Sequence, residues 1–316
     1  HQKSLMESYG TGSFPDAEQR KKEEETVFPY MPKISILVPL WNNKREFQIQ
    51  MLDCVMNQTY QNWELCLADG SDAEHAYIEE LCKEYAAKSD GRIVYKHLDH
   101  NGGISYNTNE CYKLATGDYI GLFDQDDILH PSVLYAYVKE INEQGADYLY
   151  CDETTFQEDN INKMLTMHFK PDYAPDNLRA NNYICHFTVI ETAFLKELKL
   201  RSGFDGAQDY DLMLRAYAAG GQFVHVPKVL YHWRCHEAST ASNPQSKRYA
   251  YEAGQRALED YCLRKGWKAT VSGLKHLGFY REDYEDSVFC QRPEIGIWAK
   301  PLPGGRDVLG IRHPKG

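Results

Sequence analysis

Apolar and polar positions fall in repeating blocks along the first half of the chain. Ile34-Ser-Ile-Leu-Val-Pro39 is a short continuous apolar run, the pattern of a strand covered on both faces. It breaks at Pro39 and passes through Trp41-Asn42-Asn43 into helical spacing over about 44–57. The unit then recurs. Trp63-Glu-Leu-Cys-Leu-Ala68 ends in Asp69-Gly70-Ser71-Asp72 and leads to a helix over about 74–87. A run over 92–96 ends near Asn101-Gly102-Gly103, with a helix following to Leu114. Tyr119, Ile120, Gly121, Leu122 and Phe123 then stop on Asp124, Gln125, Asp126 and Asp127, and Pro131 stands where a helix to about Glu143 begins. Strands alternating with helices of this length predict an α/β fold, a doubly wound, mostly parallel Rossmann-like sheet with helices on both faces.

The second half is less regular. A strand over 147–151 ends in Asp152-Glu153, and 154–185 reads as irregular, with Phe169, Tyr173 and Tyr183 among prolines and asparagines. Gly203-Phe-Asp-Gly-Ala-Gln-Asp209-Tyr-Asp211 opens a helical pattern. Strands over 222–226 and 229–231 lead into His232-Trp-Arg-Cys-His236-Glu-Ala-Ser239. A long amphipathic helix is predicted over 245–266, and after about 270 the pattern fades into a tail bearing Gly and Pro.

Composition narrows the function. A net charge of −11 over 316 residues argues against a nucleic-acid groove, which needs a basic footprint. Nine cysteines form an odd set with no CxxC pair, most of them inside apolar patterns. They read as reduced thiols of a cytoplasmic protein. No apolar run approaches 18 residues and no signal peptide is visible, so neither a membrane span nor secretion by that route is expected.

The candidate chemistry lies at the strand ends. In open α/β sheets ligands sit beyond the carboxyl ends of the strands, and here four successive ends carry Asn, Asp or Gly. Three carboxylates within four positions resist joint ionisation. A divalent cation with oxygen ligands would relieve that and could carry a phosphorylated ligand. Alternatively the acids serve only the positive end of a helix dipole. Asp209 sits near a helix N-cap position, where Asp is favoured on structural grounds.

Taken together, ISILVPLWN, NQTYQNWELCLADGSD, NGGISYNTNECYKLATGDYIGLFDQDD and GAQDYDLMLRA resemble family 2 glycosyltransferases of GT-A fold, closest in kind to enzymes of bacterial capsular and rhamnose-containing polysaccharides. The resemblance covers about 32–242, leaving an N-terminal arm at 1–31 and a C-terminal helix with a linker-like tail at 243–316. It implies that Pro39, Leu40, Asn42, Asp69, Asn101, Gly102 and Asn107 contribute to the nucleotide site. Asp124 and Gln125 join them from the DXD motif. Asp126 would ligate Mn²⁺ or Mg²⁺ with Asp124 in support, and His236, or alternatively His232, would be the third ligand. Arg234 and Ser239 would meet the diphosphate, and Asp209 would be the base. Asn182, Tyr183 and His186 are candidates for the acceptor side, beside the plain reading of loop packing. Many relatives carry Glu-Asp where this chain has Gln208-Asp209; the Asp itself is retained.

The activity so implied is inverting transfer from a UDP- or dTDP-sugar to a glycan or lipid-linked acceptor, in the cytoplasm or peripherally at the inner face of the membrane. A second catalytic domain after the tail and a homodimer stay open. Two other functions compete. A sugar nucleotidyltransferase would carry a Gly-rich, Arg-bearing loop after the first strand, where Pro39-Leu-Trp-Asn-Asn43 stands. A non-catalytic sugar-nucleotide-binding module would not need Asp126, Asp209 and His236 together.

Overall fold

The computed structural model describes residues 8–196, 198–236 and 248–285. The parallel half of the fold follows the expected alternation: β1 (Ile34–Leu40), α2 (Arg45–Met56), β2 (Trp63–Asp69), α3 (Tyr77–Lys88), β3 (Ile93–His97), α4 (Ile104–Tyr112), β4 (Tyr119–Leu122) and, after the short β5 (Ile128–Leu129), α5 (Val133–Gln144). Ahead of them lies α1 (Ala17–Glu25), capped by Asp16, whose carboxylate accepts from the Gln19 amide. Then come β6 (Tyr148–Gln157), β7 (Asn160–His168), α6 (Pro175–Ala180), β8 (Thr188–Glu191), α7 (Thr192–Lys196), α8 (Gln208–Ala218), β9 (Phe223–Cys235), α9 (Arg248–Arg264), β10 (Ala269–Gly273) and β11 (Tyr280–Tyr284).

A nine-stranded sheet in the order β3-β2-β1-β4-β8-β6-β9-β5, with β7 added to β6, forms the centre. β1 to β4, β6 and β9 run one way, while β5, β7 and β8 run against them. The continuous apolar runs are explained by burial on both faces. Ile34, Ile36, Val38 and Leu40 of β1, with Leu65 and Leu67 of β2, face Met51, Leu52 and Val55 of α2 and the buried residues of α3 and α5. Leu37, Cys66 and Ala68 point the other way, into a second core with Tyr210 and Leu214 of α8 and Ala253, Ala257, Leu258 and Tyr261 of α9. The helix expected over 245–266 thus packs into this second core. Gly206 admits it. Its φ is +92°, and a Cβ there would lie 2.7 Å from the Tyr249 ring and 2.9 Å from Ala250.

Three stretches differ from expectation. The region 154–185 is not irregular throughout. Thr154, Thr155 and Phe156, good strand formers, continue β6, and a turn at Glu158 (φ 54°) sends the chain back as β7. Further on, Pro175 opens α6, where its missing N–H costs nothing. The two strands expected over 222–231 are one, because a register shift against β6 absorbs Pro227 and Lys228 as a bulge. The tail beyond 270 begins with the β10–β11 hairpin, which buries Val271 and Tyr280.

The described part of the arm lies against the domain. Buried Glu23 accepts from the Thr59 hydroxyl at 2.7 Å, and the Arg20 guanidinium reaches the Asn57 carbonyl at 2.9 Å. The His130 and His232 rings meet the carbonyls of Ser13 and Tyr9, each at 3.1 Å, with Phe14 edge-on to both. Among the described residues no helix is long and apolar enough to cross a membrane.

Candidate active site

Because β1, β2 and β4 are parallel and in register, Leu40 beside Asp69 and Leu37 beside Leu122, their following turns share one rim. β8 runs the opposite way and pairs Thr188 with Leu122, so the segment before it, with Asn182, Tyr183 and His186, comes to that rim too. β1 ends on Pro39 and Leu40, and the chain then turns through Asn42 (φ 45°). The Asn42 side chain exchanges hydrogen bonds with Asp72 at 2.7 and 3.1 Å, joining this turn to the one after β2. Asp69 is buried. One of its oxygens accepts the Ser71 amide at 2.9 Å and the other the Tyr95 hydroxyl at 2.8 Å. Beyond β3, Asn107 donates to the Asn101 side chain at 2.9 Å and accepts from the Gly102 amide at 3.2 Å, fixing the loop into α4.

The four polar residues after β4 have four different fates. Asp124 stays 47% exposed at its side chain. Gln125 turns toward the β1 loop: its amide accepts from Trp41 N–H at 2.8 Å and donates to the Trp41 carbonyl at 3.0 Å, while its own carbonyl takes a bond from Asn43. Asp126 faces His236, whose Nε2 lies 2.7 Å from a carboxylate oxygen. Asp127 is wholly buried, accepting from the Tyr231 hydroxyl and the Arg234 amide. Burial, then the neighbouring Asp126 and Asp124, hold its carboxyl well above the usual carboxylate range.

On the other side stands a buried ionic cluster. Glu153, near the middle of β6, takes Lys170 Nζ at 3.0 Å, His168 Nδ1 at 3.0 Å and the His186 backbone amide at 2.8 Å. Against the effect of burial, Lys170 and the two histidines keep its carboxyl well below the usual range. Lys170 also binds the carbonyls of Ile184 and His186, at 3.1 and 2.8 Å. The His186 ring stacks on Tyr231 at 4.7 Å, and its Nε2 lies 3.6 Å from Asp124. Burial disfavours its charge, but the contact with Glu153, then the charges of Asp124 and Asp127, raise its pKa to about 9.

Asp209 lies in the first turn of α8, one residue inside the helix start. The N-cap is Ala207, which caps with no side chain. The Asp209 carboxylate instead accepts from Asn182 Nδ2 at 2.8 Å. Tyr183 has a separate task, since its hydroxyl receives the Ala174 amide at 2.8 Å.

Two expected ligands are placed elsewhere. Arg234 is buried and its guanidinium is consumed by the carbonyls of Asp126 and Glu158 and by Gln50 at 2.7 Å, between the Phe47 and Phe156 rings. Three of its five N–H groups thus brace the acidic loop from within the protein. His232 is also buried, turned to the Tyr9 carbonyl and stacked beside His130, so it does not share a site with Asp126. Ser239 lies outside the described residues. Sequence reasoning passed over Glu153, Lys170, Tyr95 and Tyr231. A Glu at what looked like a strand end was the only signal for the first, and nothing marked the other three.

Among the described residues no group of three or more His, Cys, Asp and Glu is arranged to hold a metal alone. Asp126 and His236 nonetheless present adjoining oxygen and nitrogen donors, with Asp124 on the same loop. Such a set fits Mn²⁺ or Mg²⁺ that completes its coordination with phosphate oxygens and water.

The sequence model described as Glycosyl transferase family 2 matches residues 35–201. Over 244 residues the chain is 34% identical to the O-antigen biosynthesis protein RfbC of Myxococcus xanthus, covering 76% of this chain and 19% of that protein. It spans about a quarter or less of the length of the first curated relatives it matches. Among solved structures, S. aureus TarS 1-349 in complex with UDP-GlcNAc aligns with a TM-score of 0.58 at 19% identity, over 73% of this chain and 66% of that one. Mannosyltransferase PcManGT from Pyrobaculum calidifontis, in complex with GDP-Man and Mn²⁺, aligns at 0.54 and 14% identity, over 78% and 70%. At these identities the likeness is one of fold.

Proposed function

The chain belongs to glycosyltransferase family 2, and from that premise we propose that it moves a sugar, with inversion, from a nucleoside-diphosphate donor to an acceptor hydroxyl in bacterial cell-surface polysaccharide synthesis. The donor is a UDP- or dTDP-sugar and the acceptor a glycan or a lipid-linked saccharide. The observation that carries the reading is the acidic loop after β4. Asp126 is set against His236 there, while Gln125 ties the loop to the turn after β1. On this reading the base lies at Asp69 and the diphosphate at Asp126.

In this mechanism the nucleoside lies over Asp69, Asn42 and Asn101, and the diphosphate over Asp124 and Asp126. Mn²⁺ or Mg²⁺ held by Asp126 and His236, with Asp124 in support, would neutralise the charge of the departing diphosphate as a Lewis acid. Asp209 accepts the proton of the acceptor hydroxyl as that oxygen bonds to the anomeric carbon. The bond from that carbon to the phosphate oxygen breaks on the opposite face, and its electron pair leaves with the nucleoside diphosphate. His186, close to Asp124, adds positive charge on the rim. A cytoplasmic, peripherally membrane-associated place suits such an acceptor.

The testing substitution is Asp209→Asn. An amide of the same shape can still bond to Asn182, so folding and UDP affinity are expected to persist. Turnover is expected to fall by roughly 10²–10⁴-fold, the usual worth of a general base. Near-normal turnover would remove Asp209 from the mechanism.

A further inference from the structure

Asn182 is the neighbour that could define what Asp209 does. Its Nδ2 donates to Asp209 at 2.8 Å. Its own Oδ1 is buried and has no hydrogen-bond partner among the described residues. Turning the amide over would set a carbonyl oxygen against a carboxylate oxygen, so the observed orientation is fixed by Asp209. A buried acceptor left unmatched lowers stability, and natural structures hold few of them. A residue chosen for packing would not carry that cost.

The backbone around Asn182 is held equally firmly. Lys170 grips the carbonyls of Ile184 and His186, and Glu153 takes the His186 amide. Lys170 and Glu153 are only 4% and 5% exposed at their side chains, so the clamp is anchored inside the protein. Asn182 is thus fixed from the sheet, and Asp209 is fixed from Asn182.

We propose that Asn182 is the positioning residue of the catalytic carboxylate. By donating to Asp209 it sets the plane of the carboxylate, and with it the direction from which the acceptor proton is received. The inference rests on Asp209 being the base.

The test is a double-mutant cycle on turnover, with the full chain and a UDP- or dTDP-sugar donor. Asn182→Ala alone is expected to lower kcat by roughly tenfold or more, the worth of a hydrogen bond to a charged group. Donor KM and UDP affinity stay within about twofold, since Asn182 touches neither. In an Asp209→Asn background the same change is expected to alter the residual kcat by less than about twofold, because the carboxylate it orients is gone. Asn182→Ser replaces Asn182→Ala in the cycle if the latter does not fold. A parental kcat in the single variant, or an equal loss in both backgrounds, would overturn the positioning role. If Asp209→Asn itself keeps parental turnover, the assignment of the base fails instead, and the two failures are told apart.

Discussion

Gln125 and Trp41 clasp each other in both directions, the side-chain amide of one accepting from and donating to the backbone of the other at 2.8 and 3.0 Å. The loop after β4, proposed to meet the diphosphate, is thereby tied to the loop after β1, proposed to meet the nucleoside. The family resemblance implies that Gln125 contributes to the nucleotide site, and each end of its amide also has a partner within the protein. Gln125→Ala is expected to weaken UDP binding by roughly tenfold, two neutral hydrogen bonds at the usual net worth. Gln125→Glu keeps the acceptor for Trp41 N–H but adds a charge beside Asp124, Asp126 and Asp127 and sets an oxygen against the Trp41 carbonyl, so it is expected to lose at least as much. Calorimetry with UDP decides, and equal affinity in all three proteins would mean that the clasp does not shape the donor site.

Metal dependence is expected to run through Asp126. For the parent protein, UDP affinity with Mn²⁺ present is expected to exceed that in chelator by roughly tenfold or more, since losing a buried charged partner costs at least that much. In Asp126→Asn the two affinities converge. A persisting Mn²⁺ effect in that variant would place the cation elsewhere.

Arg234→Lys tests the brace behind the acidic loop. A lysine cannot reach two carbonyls and Gln50 together while lying flat between the Phe47 and Phe156 rings. Urea unfolding is expected to show a loss of about 3 kcal/mol, as when a buried charge loses its partners. Parental stability in Arg234→Lys would argue that the guanidinium is free to meet a ligand after all.

His232 gives the docked arm a pH dependence. Burial lowers its pKa from 6.5 to about 4, opposed only in part by the Tyr9 carbonyl, and the stacked His130 adds to the lowering. The unfolded chain therefore binds the proton first. The associated stability is complete above pH 6.5 and is lost as pH falls toward 4, up to about 3 kcal/mol. Melting temperatures of the parent and of His232→Gln, measured from pH 7.5 to 4.5, are expected to converge toward the acid end. A constant gap between them would show that His232 stays uncharged throughout.

The rim was legible because its parts are local. Asn42, Asp69-Gly70, Asn101-Gly102 and Asp124–Asp127 each follow an apolar run, and the order of strand and helix aligns them. Other parts were hidden for physical reasons. An arginine that braces a core, such as Arg234, has the same letter as one on the surface. Thr154 and Thr155 carry no alternation, because that part of β6 is buried between neighbours and β7 closes its edge. The pairing of Asn182 with Asp209 spans 27 positions and depends on β8 running backwards, which no periodicity reports.

The Lys170–Glu153 clamp has a consequence for the response to ionic strength. Dissolved ions weaken attraction between charges that water can reach, and leave pairs sealed in the interior nearly unaffected. The segment carrying Asn182 is therefore expected to keep its shape from dilute buffer to strong brine. The anionic donor must still be captured from solution. Added salt would then act on its capture and spare the step that follows, so rising salt would change the donor concentration needed for half-maximal speed and leave the ceiling itself in place.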